Sequence, residues 1–281
     1  MKQHFKWALI VLSFCLFLLV SAIGQTVAFL FPSRRWHLMS RLTYILMGEL
    51  LKILGFRIKV EGNVAYLKEH GNLIISRHVS YTDGLILGGL TPAVLVSKKD
   101  VKKWPLFGQV VAISGTIFVD RMNNKDFSYL DQMTELLKSK VTVVVFPEGT
   151  STNGAVVKPF QSVFFKAPIE AGASILPVTI SYLKIDGAEI TAANRGDIVW
   201  YGQVGFFNHL WNLLQFNRID VTVTVHDKIE VKDFSDNSNG RKNLNQRCQQ
   251  MIVEKAGLHD FIAVGSVFEN GVSASARGPA N

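Results

Sequence analysis

At 281 residues the chain is long enough for one sizeable α/β domain with added elements, and it does not require two. Charged residues make up only 19%, against the ~25% usual in soluble domains, while hydrophobic residues reach 48%, a balance that favours a membrane-associated protein. The net charge of +8 suits either nucleic acid or an anionic membrane surface, and the membrane is preferred because the N-terminal cations flank very apolar segments.

Trp7 to Phe31 holds no charged residue, enough to span a bilayer core with some tilt, and it is framed by Lys2 and Lys6 before and Arg34 and Arg35 after. A cleaved signal peptide is the competing reading, since Val20-Ser21-Ala22 offers small residues for cleavage, but the uncharged run continues well past that point and favours an anchor. Both flanks are basic, so charge does not orient the segment. Trp36 to Leu54 reads as a second, amphipathic helix: His37, Ser40, Arg41, Tyr44, Gly48 and Lys52 recur every three or four residues opposite a wide Leu/Ile/Met face. Such a helix would lie in the headgroup layer, or else pack on a core like any other.

From residue 56 the period changes. Short β-rich runs (57–60, 73–75, 93–96, 116–119, 141–146, 175–181, 198–200, 221–225) alternate with helical stretches at 84–90, 127–137, 163–171, 209–216 and 240–256. That alternation predicts an α/β fold with a mixed, largely parallel sheet flanked by helices, preceded by an N-terminal membrane-anchoring helical segment. The expected organisation is an anchor over 1–54, an α/β domain over 55–260, and a tail over 261–281 whose small polar end is disordered. No zinc-type spacing, CxxC or HExxH occurs, so no metal is expected, and a Cys15–Cys248 structural disulfide is not expected either.

Four stretches carry chemistry. His78 and Asp83 stand five residues apart just after the apolar run Leu73–Ile75. Histidine is the side chain best suited to taking a proton near neutral pH, and a carboxylate on its other nitrogen would fix the tautomer. On one continuous helix the two would sit roughly 140° apart, so a turn must fold Asp83 back, for which Ser80, Thr82 and Asp83 are suitable N-cap or turn residues. The second stretch is the β-branched run 141–146 followed by Pro147-Glu148-Gly149-Thr150-Ser151, a turn at the carboxyl end of a buried strand, where ligands bind in open α/β sheets. It is not a phosphate-binding P-loop, because Ala155-Val156 replaces the Lys-Ser/Thr, and Ser151 is not in a nucleophile elbow, because Asn153 replaces the second glycine. The third is Gly115–Arg121, ending in an Asp-Arg pair in which Arg121 would suit an anionic group. The fourth is Ile175–Ser181, whose early Pro177 points to a sheet edge or a strand start.

In this order, the four stretches resemble the signature blocks of the glycerolipid acyltransferase family, whose bacterial members include the 1-acyl-glycerol-3-phosphate acyltransferases. The resemblance covers about residues 55–185. It implies that His78 deprotonates the acceptor hydroxyl and Asp83 orients it, that Arg121 and the Glu148-Gly149-Thr150 turn, with Ser151, help to bind the acceptor's head group, and that the Pro177 block lies near the acyl-donor site. The donor would be an acyl-CoA or acyl-carrier protein, with no bound cofactor, and the enzyme would act at the cytoplasmic membrane with its domain facing the cytoplasm. Two positions depart from the pattern: Ser151 and Gln161 stand where many members carry a basic residue. Lysophosphatidate is the first expectation for the acceptor, because Lys98, Lys99 and Lys158 can compensate, with a lyso-ornithine lipid as the alternative. A lipid hydrolase would instead release free fatty acid without an acceptor, and a non-catalytic lipid-binding protein would be indifferent to His78→Ala.

Overall fold

The computed structural model describes residues 2–31, 34–104, 107–120 and 127–257. Arg121 and the 261–281 tail lie outside the described residues. The helices are α1 (Lys2–Leu30), α2 (Arg35–Leu54), α3 (Tyr81–Leu90), α4 (Phe107–Ile113), α5 (Ser128–Lys138), α6 (Lys166–Ala171), α7 (Phe206–Leu213) and α8 (Ser238–Lys255). The strands are β1 (Phe56–Gly62), β2 (Leu73–Ile75), β3 (Ala93–Lys98), β4 (Ile117–Val119), β5 (Thr142–Val145), β6 (Ile175–Ile185), β7 (Ala188–Glu189) and β8 (Ile219–Val225).

They form a mixed sheet in the order β1-β8-β6-β2-β5-β3-β4, with β7 pairing β6 off this path. From β6 to β4 neighbouring strands are parallel, β8 runs antiparallel to β6, and β1 is parallel to β8. The short central strands are buried on both faces, which is why they read as unbroken apolar runs. Side chains alternate between two cores: Ile74, Val144 and Leu176 face α1, α2, α3 and α7, whereas Leu73, Ile75 and Val143 face α5 and α8.

The parallel order brings the carboxyl ends of β2, β5, β3 and β4 to one side of the sheet, and the candidate residues follow these ends. Of the two places expected for Pro177, a sheet edge or a strand start, the structure shows the second. It is the third residue of β6, close to the strand start, but this strand is interior and Pro177 pairs with Ile75. It stands where β6 passes from pairing with β2 to pairing with β8, a changeover at which a missing N–H costs little. The expected strand at 198–200 is a loop: Ile198 and Val199 are buried, and the Trp200 N–H donates to the Val79 carbonyl without a ladder.

Among the described residues α1 is the helix long and apolar enough to cross a membrane by length and composition. It is not solitary, however. Ile10, Phe14 and Phe17 are buried against the domain, Phe14 meets Phe107 edge-on with ring centroids 4.9 Å apart, and Lys6 Nζ donates to the Phe216 carbonyl at 2.5 Å. Its opposite side leaves Leu12, Leu16, Leu19 and Ile23 exposed. The apolar face of α2, with Met39, Thr43, Leu46, Leu50 and Leu54 buried, packs on α1 and α3; it is taken up by protein. Cys15 is exposed and Cys248 buried, and both are free.

Candidate active site

The spacing problem between His78 and Asp83 is solved by where α3 begins. Ser80 is its N-cap, with extended backbone, and its hydroxyl accepts from the Thr82 N–H. Asp83 completes the capping box by accepting from the Ser80 N–H at 2.9 Å. His78 therefore lies two residues ahead of the cap, in the loop leaving β2, and the chain reverses between it and Asp83. Asp83 Oδ2 also accepts from the Val79 N–H at 2.7 Å and lies 3.0 Å from His78 Nδ1. One carboxylate oxygen thus shapes the loop and holds the imidazole.

Its other oxygen has a partner that local pattern did not reveal. The Tyr182 hydroxyl, on β6, donates to Asp83 Oδ1 at 2.6 Å and lies 2.7 Å from Thr82 Oγ1. Burial, and then the Asp83 charge, push this phenol well above its usual range, so it remains a donor. The only sequence signal was a tyrosine just past the predicted strand at 175–181.

Glu148, for which the resemblance implies a part in binding the head group, is buried, and backbone N–H groups occupy both of its oxygens. Its carboxylate turns inward, accepting from the His78 N–H at 2.6 Å through Oε1 and from the Lys158 N–H at 2.8 Å through Oε2. It ties the loops after β2 and β5 together and positions His78. Burial pushes the Glu148 carboxyl up to about 7, against the opposing pull of the two N–H groups and of Arg77. Burial draws the Arg77 guanidinium down, and the charges of Asp83 and Glu148 oppose that shift. Because Glu148 titrates higher in the folded than in the unfolded chain, its contribution to stability is present below about pH 4.5 and is lost as pH rises through about 7. The stability difference between the parent protein and Glu148→Gln should therefore shrink by about 3 kcal/mol from about pH 4.5 to about pH 8. Denaturant unfolding of both proteins in detergent at the two pH values measures it, and a pH-independent difference would contradict this environment.

A cavity of about 350 Å³ opens at His78. The imidazole stacks on Phe146 at 4.4 Å, and Gly149 and Ser151 of the turn line the same cavity. Gly149 has φ 73°, a left-handed backbone that favours glycine, and the Gln161 amide lies close over it. The cavity continues between apolar walls that include Ile10 and Phe14 of α1, Leu46 and Leu50 of α2, and Phe206. Lys98 is on its wall, whereas Lys99 is paired with Asp120 and Lys158 is exposed. The structure thus gathers His78, Asp83, Glu148, Gly149 and Ser151, leaves Thr150 half-buried beside them, and buries Pro177 in the sheet, away from the cavity wall. Trp200, on a loop 122 positions beyond His78, closes one side.

Comparison with known proteins bears on this arrangement. The family model described as Acyltransferase matches residues 57–181, which contain the His78–Asp83 pair, the Glu148 turn and the first half of β6. A lyso-ornithine lipid O-acyltransferase from Pseudomonas aeruginosa is 30% identical over 76% of this chain and 78% of its own length. The chain belongs to the acyltransferase family. A second lyso-ornithine lipid O-acyltransferase, from Rhizobium meliloti, is 26% identical over 79% of this chain and 75% of its own length. A 1-acyl-sn-glycerol-3-phosphate acyltransferase from Neisseria gonorrhoeae is 28% identical over 59% of this chain and 65% of its own. The fold of this acyltransferase matches the crystal structure of the 1-acyl-sn-glycerophosphate acyltransferase PlsC from Thermotoga maritima, with a TM-score of 0.58 over 98% of this chain and 100% of that one, at 18% identity.

Proposed function

We propose that this acyltransferase moves a fatty acyl chain from a thioester donor to the hydroxyl of a lyso-lipid, with His78 as general base. The observation that carries the reading is that Nδ1 of His78 is committed to Asp83 while the ring lies on the wall of a largely apolar cavity. Nε2 is then the nitrogen available to an acceptor hydroxyl. The hydroxyl oxygen attacks the thioester carbonyl, the new C–O bond forms as the C–S bond breaks, and the proton passes through Nε2 to the departing thiolate. No acyl-enzyme is needed. The apolar walls suit an acyl chain, and a volume of about 350 Å³ is within the range of ligand cavities. The exposed stripe of α1, Leu12 to Ile23, suits contact with the acyl region of a bilayer, which would let a lyso-lipid reach His78 without crossing water. Acyl donors of this kind are made in the cytoplasm, so the domain is assigned to that side.

The acceptor reading favours a lyso-ornithine lipid. Two relatives covering about three quarters of the chain carry that name, and the turn beside His78 has uncharged Ser151 on the cavity wall and Gln161 against Gly149. Lysophosphatidate is the second reading, favoured by Lys98 on the wall. Transfer of labelled acyl chain from acyl-CoA to a panel of lyso-lipids, by the parent protein and His78→Ala, separates the two. Acylation of the lyso-ornithine lipid by the parent alone is expected. Lysophosphatidate as the better acceptor would overturn the acceptor assignment, and free fatty acid without acylated lipid would overturn transfer itself.

A further inference from the structure

A second cavity, of about 550 Å³, lies at the β3–β4 end of the sheet. Its walls include Arg35, Trp36, Lys99, Lys102, Phe118 and Asp120, three cations against one carboxylate among the described residues. Lys99 Nζ lies 2.8 Å from Asp120 Oδ2, so Arg35 and Lys102 leave the described walls net positive. Both are exposed, and aromatic faces steady them: the Arg35 guanidinium is 5.4 Å from the Trp36 ring centroid and the Lys102 ammonium 4.8 Å from that of Phe118. The Trp36 ring is seated by Gly115, which has φ 82° and where a Cβ would come within 2.9 Å of the indole.

The two cavities adjoin. Thr116 lines both, and the segment 98–102 is a shared wall, with Lys98, Asp100 and Val101 on the catalytic side and Lys99 and Lys102 on the other. By contrast, the Ile175–Val178 strand, where the resemblance would put the donor, is buried in the sheet and presents no surface to a carrier. We infer that the Arg35–Lys102 cavity binds the phosphate-bearing part of the acyl donor, a phosphopantetheine thioester, so that the acyl group enters past Thr116 while the phosphates stay among the cations. The inference rests on the acyl-transfer reading above and adds the donor's place to it. Arginine and lysine beside an aromatic face suit a phosphate, and an indole face suits a purine if the carrier is coenzyme A.

The test is the double charge reversal Arg35→Glu/Lys102→Glu in the full chain, with donors that differ only in their phosphates. The ratio of kcat/KM for acyl-CoA to that for acyl-pantetheine, which has no phosphate, is expected to fall roughly tenfold or more, the scale of one or two charge-assisted hydrogen bonds. Because this is a ratio, a general loss of folded enzyme cancels from it. Calorimetry with 3′,5′-ADP gives a reading independent of turnover, and its binding to the parent should weaken by a similar factor in the variant. A matching loss with acyl-carrier protein would assign the site to the shared phosphopantetheine phosphate; a loss confined to acyl-CoA would assign it to the nucleotide phosphates. An unchanged ratio with transfer intact would overturn the donor cavity and leave the proposed function standing, as would a variant that loses only binding to anionic vesicles. Conversely, 3′,5′-ADP bound through these two residues by a protein that acylates no lyso-lipid would keep the phosphate site and sink the transfer reading.

Discussion

Replacing His78 by alanine is expected to slow acyl transfer by roughly 10²–10⁴-fold, the usual contribution of a positioned general base. The protein should still fold, because the imidazole makes one stack on Phe146 and one hydrogen bond to Asp83, while the loop keeps the Val79 and Ser80 N–H groups on Asp83 and the His78 carbonyl on the Thr152 N–H. Asp83→Asn should lose a similar factor for another reason. An amide carries no charge to stabilise the imidazolium, and whichever way it turns its NH2 faces groups that now donate, the Tyr182 hydroxyl at Oδ1 or the Val79 and Ser80 N–H groups at Oδ2. It should also lose about 1 kcal/mol of stability with the helix cap. Tyr182→Phe removes a single donor from Oδ1 and leaves Oδ2 in place, so a smaller loss, roughly tenfold in kcat with acceptor KM unchanged, is expected. Initial rates at saturating substrates, with circular dichroism as a check on folding, decide the series. If Asp83→Asn retains near-full rate, the histidine is not acting with its carboxylate partner.

Deleting residues 1–31 is expected to abolish transfer altogether while weakening membrane association without eliminating it. A simple anchor would give the second effect only. Here α1 buries Ile10, Phe14 and Phe17 in the core that also holds α2 and β1, and Ile10 and Phe14 form part of the wall of the cavity at His78. Removing them uncovers the apolar side of α2 and opens the cavity to water, which destroys the dry site an acyl chain needs. The full-length variant Phe14→Ala is a milder companion, expected to lose about 3 kcal/mol of stability, near the low end for a buried aromatic because one side of Phe14 already faces the cavity. It should also accept bulkier acyl chains than the parent. Acylation assays with donors of increasing chain length, together with flotation on lipid vesicles, test both. Full activity in the truncated protein would mean that α1 serves attachment alone.

Much of this molecule is legible in local pattern. The buried parallel strands announce themselves as short apolar runs at 73–75, 93–96 and 141–146, and the amphipathic period of 127–137 marks α5. Where local reading failed, the residues were answering to distant partners. Ile198 and Val199 are apolar because they are buried and Trp200 because it lines the cavity, not because the segment pairs as a strand. Glu148 has the composition of an exposed turn carboxylate, yet its oxygens face inward because two loops meet there and their N–H groups need acceptors. The short helix α4 and the two-residue strand β7 carry too few residues for any period to show.

By itself, then, the sequence determined the α/β alternation, the long apolar N-terminal helix, and the His78–Ser80–Asp83 spacing from which a capping box folds, because each depends on residues within a few positions of one another. Only the tertiary structure decided which side chains surround that pair. Setting β6 next to β2 brings Tyr182 to Asp83 across 99 positions, and packing α1 and α2 over the sheet makes an apolar N-terminal helix part of a cavity wall. Strand order and helix packing are settled by burial of apolar area over the whole chain, and no short window of sequence contains that information.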